Sequence, residues 1–322
     1  MRNKILIIAS IIIVSIMAVA CQQSPHVVDN KPQSRSIYHW KTTFALDSSE
    51  VVFLQKHQIS KLYLRMFDVA TETNWETGTK DVVPIATTRF KAAVPTNIEV
   101  IPTTYITLEA LREIEGEEAE FAVLIVERLL AMSSYNECGE IREVQFDCDW
   151  TASTKTIYNT LCAAASELLH KNSIELSATI RLHQLAEEPP MVDRGVLMLY
   201  NTGALKNVDT KNSILDVNDV KPYIHKQSYG LPLDYAYPVF GWGVRFCNGE
   251  FQAIVSNPNE VELNDGETLR KERASVATIL EVKQLVEEEL GQPTRGNIIY
   301  HLDNKQLENY TDDEISQIFT AH

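Results

Sequence analysis

Arg142 to Thr151 reads REVQFDCDWT, and its two aspartates, Asp147 and Asp149, stand one residue apart at the end of a polar–apolar alternation. Side chains alternate across an extended strand, so Glu143, Gln145, Asp147 and Asp149 share one face and Val144, Phe146 and Cys148 the other. Two carboxyl groups on one face suit acid–base work, one handling the proton and the other fixing its geometry. The stretch ELSATIRLH repeats the pattern. Leu176, Ala178, Ile180 and Leu182 form an apolar stripe, while Glu175, Ser177, Thr179, Arg181 and His183 form a polar one. If both polar stripes face an interior they must satisfy each other, because unpaired buried charge is costly. Asp147 is therefore expected to pair with Arg181, and Arg65 is a further candidate partner.

Such stripes need elements that cover both faces of a strand. Short β-rich runs recur along the chain: IYHWKTTFAL, KLYLRMFDV, NIEVIPTTYI, REVQFDCDW, IELSATIRL, GVLMLYN, DYAYPVF and NIIYHLD. Amphipathic stretches lie between them: SEVVFLQKH, EEAEFAVLIVERLLAM, TKTIYNTLCAAASELLHK and LRKERASVATILEVKQLVEEEL, with weaker helical patterns at Ile85–Ala93 and Val217–His225. Eight strands with intervening helices predict an α/β fold, a single (β/α)8 TIM barrel over residues 37–322. A doubly wound sheet is the alternative, but no glycine-rich phosphate loop follows the first strand. Catalytic groups of such barrels gather where the strands end, and Asp68, Asp149, His183, Asn201, Trp242 and Asp303 all fall there.

Trp40, Trp150 and Trp242 are placed near strand ends, where an indole face can stack on a sugar ring while its N–H meets a hydroxyl. His183 and His301 are acid–base or binding candidates, with His301 and Asp303 as a positioning pair within YHLD. No HExxH, His-x-His or CxxC spacing is present, so neither a metal nor a cofactor is expected. No nucleophile elbow supports serine hydrolysis.

Two fragments carry a family resemblance. FDCDWT resembles the fourth-strand signature of family 18 glycoside hydrolases, which ends in Asp-x-Asp-x-Glu, and LMLYN (Leu197 to Asn201) resembles their sixth-strand Met-x-Tyr-Asp/Asn. More loosely, SATIRLHQ, PPMVDRG, MLYNTG and IIYHLD look like a group of uncharacterised exported lipoproteins with glycosidase-like barrels. The resemblance implies a glycan at the mouth, with Asp147 and Asp149 as the acids and Arg65, Asp68, Arg181, His183, Tyr200, Asn201, Trp242, His301 and Asp303 around the sugar. In the chitinase-like pattern the final Glu protonates the glycosidic oxygen, and the substrate's own acetamido group is the nucleophile. Here that position is Thr151, which lacks a carboxylic proton. Binding without catalysis, or catalysis by a displaced acid such as Asp149, are the two outcomes this departure leaves, with a scaffold that binds no sugar as a third.

The ends of the chain speak of location. Arg2 and Lys4, the apolar run Ile5 to Val19, and small residues before Cys21 read as a signal peptide over residues 1–20 whose end resembles the lipobox of bacterial lipoproteins, with a short membrane anchor and an incidental Cys21 as the alternative. The resemblance implies lipidation at Cys21, and residues 21–36, polar and holding Pro25 and Pro32, are expected to be a tether. Gln22 after the cysteine favours the outer membrane by resemblance to Gram-negative sorting. The chain has 29 basic and 44 acidic residues, net −15, and −17 once Arg2 and Lys4 are removed. That balance argues against nucleic acid or anionic lipid as charge-driven partners. Cys138, Cys148, Cys162 and Cys247 read chiefly as buried thiols, with a Cys148–Cys162 disulfide as the other option.

Overall fold

The computed structural model describes residues 33–225 and 229–320. The stretch read as a signal peptide, Cys21, and the stretch read as a tether up to residue 32 lie outside the described residues. Eight parallel strands run in chain order: β1 (Ser36–His39), β2 (Lys61–Thr73), β3 (Glu99–Ile106), β4 (Glu143–Asp147), β5 (Glu175–Ile180), β6 (Arg194–Met198), β7 (Leu233–Pro238) and β8 (Asn297–Tyr300). Each pairs with the next, and β1 pairs with both β8 and β2, which closes the sheet on itself. The (β/α)8 barrel is thus present, built on the strands the alternation marks out. Ser34 donates its backbone N–H to Arg295 O at 2.7 Å and Ser36 opens β1, so the folded chain reaches back into the stretch read as tether.

Strand parity puts the polar stripes inside. Gln145 stands opposite Ser177 and Phe146 opposite Ala178, so like faces of β4 and β5 lie side by side. The outward residues Val144, Phe146 and Cys148 are fully buried under the helical layer. Trp150 continues that outward parity and stacks on Tyr158 of the helix Lys155–His170, with ring centroids 6.1 Å apart. Local sequence starts the outer helices. Asp47 and Glu50 form a capping box on Ser48–Lys56, Ser275 caps Val276–Leu290, and Thr311 with Glu314 boxes Asp312–Phe319.

Where helical patterning is weak, the structure departs from it. Ile85–Ala93 is not a helix: Lys80–Ile85 pairs antiparallel with the outer end of β2, and Arg89–Phe90 pairs with Thr43–Phe44. Val82, Val83 and Ile85 favour extension, and Pro84 is compatible with an edge strand. LRKER also leaves its expected helix. It belongs to the strand Glu267–Arg273, which with Gly241–Cys247 and Glu250–Val255 forms a three-stranded antiparallel sheet inserted after β7. Val217–His225 gives only one α-turn, Val217–Val220, followed by a 3-10 turn carrying Pro222. Within the acidic helix end, Glu287 is buried against Lys283 rather than solvated.

The barrel interior is layered. At its base Glu143 faces Arg295 (3.3 Å), Lys61 (3.6 Å) and Arg194 (3.9 Å), while Arg194 pairs with Asp234 at 2.7 Å. Above this, Tyr38 Oη donates to Gln145 Oε1 at 2.7 Å, and Gln145 Nε2 to Ser177 Oγ at 3.3 Å. The acids of the opening motif form the top layer.

Candidate functional site at the barrel mouth

Asp147 and Asp149 both point inward and meet one cation. Arg181 Nε donates to Asp149 Oδ1 at 2.5 Å, and its Nη2 lies 3.6 Å from Asp147 Oδ1. Thr179 Oγ1, two residues before Arg181 on the same inward stripe, donates to Asp147 Oδ1 at 2.5 Å. Depth separates the acids: the Asp147 side chain is 3% exposed and that of Asp149 is 42% exposed. Burial pushes the Asp147 carboxyl above its ordinary range, against the pull of Arg181. Burial alone would lower Arg181, but Tyr200, Asp147 and Asp149 outweigh it and hold the guanidinium more firmly charged than usual.

A second ion pair depends on an irregularity. Register shifts between Arg65 and Phe67, so Arg65 stands opposite Thr103 and Asp68 opposite Tyr105. Thr103 and Tyr105 lie in turn opposite the inward Gln145 and Asp147. Residues three apart on a regular strand face opposite ways; the extra residue at Met66 turns both inward. Arg65 Nε then donates to Asp68 Oδ1 at 2.8 Å, its Nη2 closes the fork on Oδ2, and Nη1 reaches Trp40 O at 3.2 Å.

Aromatic rings join these charges. Arg181 lies over Tyr200 (5.0 Å), Tyr200 stacks on Tyr300 (4.5 Å), and Phe240 sits edge-on to both. Phe240 in turn touches Trp242 at 5.2 Å, and Tyr300 touches Trp40 at 5.9 Å. Burial raises the phenols of Tyr200 and Tyr300, keeping them in the neutral, hydrogen-bonding form, and Tyr105, beside Asp149 and Asp147, is raised for the same first reason.

Several candidates lie elsewhere than expected. Trp150 is fully buried beneath the helices and offers no face to a sugar, because it follows Asp149 by one residue and so points outward. Trp242 is partly exposed, but its N–H is not free: Nε1 donates to Glu272 Oε2 at 2.9 Å. His183 has left strand parity for the 3-10 turn Leu182–Ala186, where it is exposed, with Nε2 3.4 Å from Trp150 O. Asn201 is exposed beyond the end of β6 with a left-handed φ of 54°. His301 and Asp303 share no hydrogen bond, although the burial that lowers the imidazole is opposed by the Asp303 charge. Asp303 caps the helix Asn304–Leu307 and lies 3.2 Å from Lys41 Nζ, whereas His301 Nδ1 is buried without a hydrogen-bond partner. Burial holds His301 below the ordinary imidazole range. Cys138, Cys148, Cys162 and Cys247 are free thiols. Among the described residues no group of three or more His, Cys, Asp or Glu is arranged to hold a metal ion.

Tyr105, Phe240, Tyr300 and Glu272 also serve the mouth, and Tyr38 the layer beneath it, without having been marked by the sequence. Alternation in IYHW and NIIYHLD carries the signal for Tyr38 and Tyr300, which share inward parity with no acid beside them. Glu272 has no local signal, since it works from an inserted sheet.

Thr151 takes the place of an acid but does not act as one. Its backbone N–H donates to Thr154 Oγ1 at 3.0 Å, and its hydroxyl lies 3.0 Å from Ser153 Oγ, in the turn that leads into Lys155–His170.

A closed eight-stranded parallel barrel with flanking helices is the fold of the chitinase-like TIM barrels of glycoside hydrolase family 18. The chain is similar to the spore cortex-lytic enzyme SleL of Bacillus megaterium QM B1551, at 13% identity and a TM-score of 0.53, over 89% of this chain and 74% of that one. It is similar to a chitinase from Chromobacterium violaceum ATCC 12472, at 8% identity and a TM-score of 0.56, over 89% and 98%. A chitinase-like agglutinin from Robinia pseudoacacia matches at 11% identity and a TM-score of 0.50, over 88% and 97%. No family model matches the sequence, and no curated protein matches it.

Proposed function

We propose that the chain is a lipid-anchored protein of the bacterial outer membrane that binds a glycan at the C-terminal mouth of its barrel without cleaving it by the chitinase-like route. The observation that carries this reading is the state of the Asp-x-Asp-x-Thr motif. Thr151 is tied into a turn, and Arg181 engages both Asp147 and Asp149. A glycosidic oxygen leaves only when protonated, and the residue in the donor position has no such proton to give. What remains is a polar floor beside the partly exposed rings of Trp40, Tyr300 and Trp242, backed by the buried Tyr200 and Phe240, a lining suited to the C–H faces and hydroxyls of a sugar. The similar folds include proteins named as enzymes and one named as an agglutinin, so the fold accommodates both outcomes. Anchoring rests on the basic start, the apolar run and Ala18-Val19-Ala20-Cys21-Gln22.

The test is calorimetry on the full chain in detergent with chitohexaose and with peptidoglycan glycan strands, alongside an assay for newly formed reducing ends. Saturable binding with no reducing ends is the expected result. Reducing ends formed by the wild type and lost in Asp149→Asn would replace this reading with hydrolysis by a displaced acid. Neither binding nor cleavage would overturn the glycan site altogether.

A further inference from the structure

Glu272 stands where separately built parts of the mouth's wall meet. Its side chain is fully removed from solvent. Oε2 accepts from Trp242 Nε1 at 2.9 Å and from Ser213 Oγ at 2.5 Å, while Oε1 accepts from Arg270 Nε at 2.5 Å. Arg270 carries the connection onward, donating through Nη1 to Asn207 O (2.7 Å) and through Nη2 to Leu205 O (2.9 Å). Asn212 Nδ2 completes the clasp by donating to Arg273 O at 2.9 Å. One carboxylate thereby ties the loop after β6 to the inserted sheet and to the indole. The backbone makes room for this. A Cβ on Gly241 would lie 2.6 Å from Glu272 O, and one on Gly243 would lie 2.9 Å from Pro258 Cβ, so glycines on both sides of Trp242 let the chain pack this closely.

We propose that Glu272 is the positioning residue of the mouth's aromatic wall, fixing the plane of Trp242 and locking the 201–216 loop to the inserted sheet. The role in binding rests on the glycan reading above; the positioning itself does not. Burying a carboxylate is a poor way to gain stability alone, since an apolar residue of similar size often serves as well. One of its three hydrogen bonds instead holds a partly exposed ring, which continues the aromatic series from Tyr300 through Phe240. With its N–H spent on Glu272, Trp242 offers a ligand its face alone. Stacking energy depends on ring orientation, so the residue that sets the plane also sets the affinity.

The experiment uses the full chain in detergent, chitohexaose as probe, and two readouts: affinity by calorimetry and the Trp242 indole N–H resonance, assigned with Trp242→Phe. Glu272→Ala is expected to weaken binding by about ten-fold or more and to move the indole signal to the position of an unbonded N–H. Glu272→Gln keeps an acceptor for the indole and is expected to recover to within about three-fold of wild type. Should Glu272→Ala fail to fold, Ser213→Ala decides, because it removes one arm of the clasp and is expected to cost a few-fold in affinity with the circular dichroism unchanged. Folded variants with wild-type affinity, or an unmoved indole signal, would overturn the proposal. A wild type that binds no chitohexaose counts against the glycan reading, and the indole signal still decides whether Glu272 positions the ring.

Discussion

Arg181 serves two acids at once, and the difference between them decides what each can do. Asp147 is buried and receives a hydroxyl donor, so its task is to hold Arg181 in place. Asp149 keeps a large part of its side chain in solvent and leaves one oxygen outside the contact with Arg181 Nε, which makes it the acid that the proposed glycan would meet. Asp149→Asn is therefore expected to weaken chitohexaose binding about ten-fold, about 1.4 kcal/mol, while the unfolding midpoint moves little because the residue is half in water. Calorimetry and a thermal melt on the same sample check both halves, and a large drop in stability with unchanged affinity would recast Asp149 as a structural partner of Arg181. The Asp147–Arg181 pair was legible in the sequence because strand parity is a strict rule over short distances. The same rule excludes Trp150, which stands one step out of phase with the acids. The engaged N–H of Trp242 was not legible, since its acceptor lies 30 residues away in an inserted sheet.

Elements carry the charges at the barrel's other end. Arg194 on β6 is 3% exposed and pairs with Asp234 on β7 at 2.7 Å, with Glu143 of β4 at 3.9 Å. Asp234 Oδ1 also accepts the backbone N–H groups of Arg295 (2.6 Å) and Gly296 (3.1 Å), which fixes the chain entering β8. Removing one partner of a buried pair leaves the other charge unpaired in low dielectric, a loss of about 3–5 kcal/mol. Arg194→Leu should lower the free energy of unfolding by that amount in a denaturant titration. A loss below about 1 kcal/mol would mean that water reaches Asp234 and solvates it. The eight barrel strands were readable as short β-rich runs, because β4 and β5 alternate over their own few residues and amphipathic helices follow β1, β3 and β4. The inserted sheet was not, because Glu267–Arg273 is charged along its length and becomes a strand only by pairing with Gly241–Cys247. The turn of Asp68 toward Arg65 likewise needs the extra residue at Met66, which has no local sequence mark.

At the scale of the whole molecule, acid is the condition that tests how the barrel closes. His39 ends β1, next to the strand pair that seals the sheet, and is 1% exposed with Nδ1 unpartnered. Burial, with Lys41 and His301 nearby, lowers its pKa to about 3. A group whose folded pKa lies below its unfolded one contributes stability in full above the unfolded value, about 6.5, and loses it as pH falls toward the folded value. At pH 5 the loss from His39 alone is about 2 kcal/mol. Asp147 and Asp234, both raised chiefly by burial, act in the opposite sense, since protonation relieves their buried charge as pH falls. The net slope of the wild type therefore mixes both signs, and only a difference between variants isolates the histidine. His39→Asn keeps a neutral polar group of similar reach but cannot titrate. Urea unfolding at pH 7.5 and pH 5 should show the wild type losing about 2 kcal/mol more than this variant over the interval. Parallel losses in the two proteins would place the acid sensitivity elsewhere, at His301 or His57, whose pKa values burial also lowers.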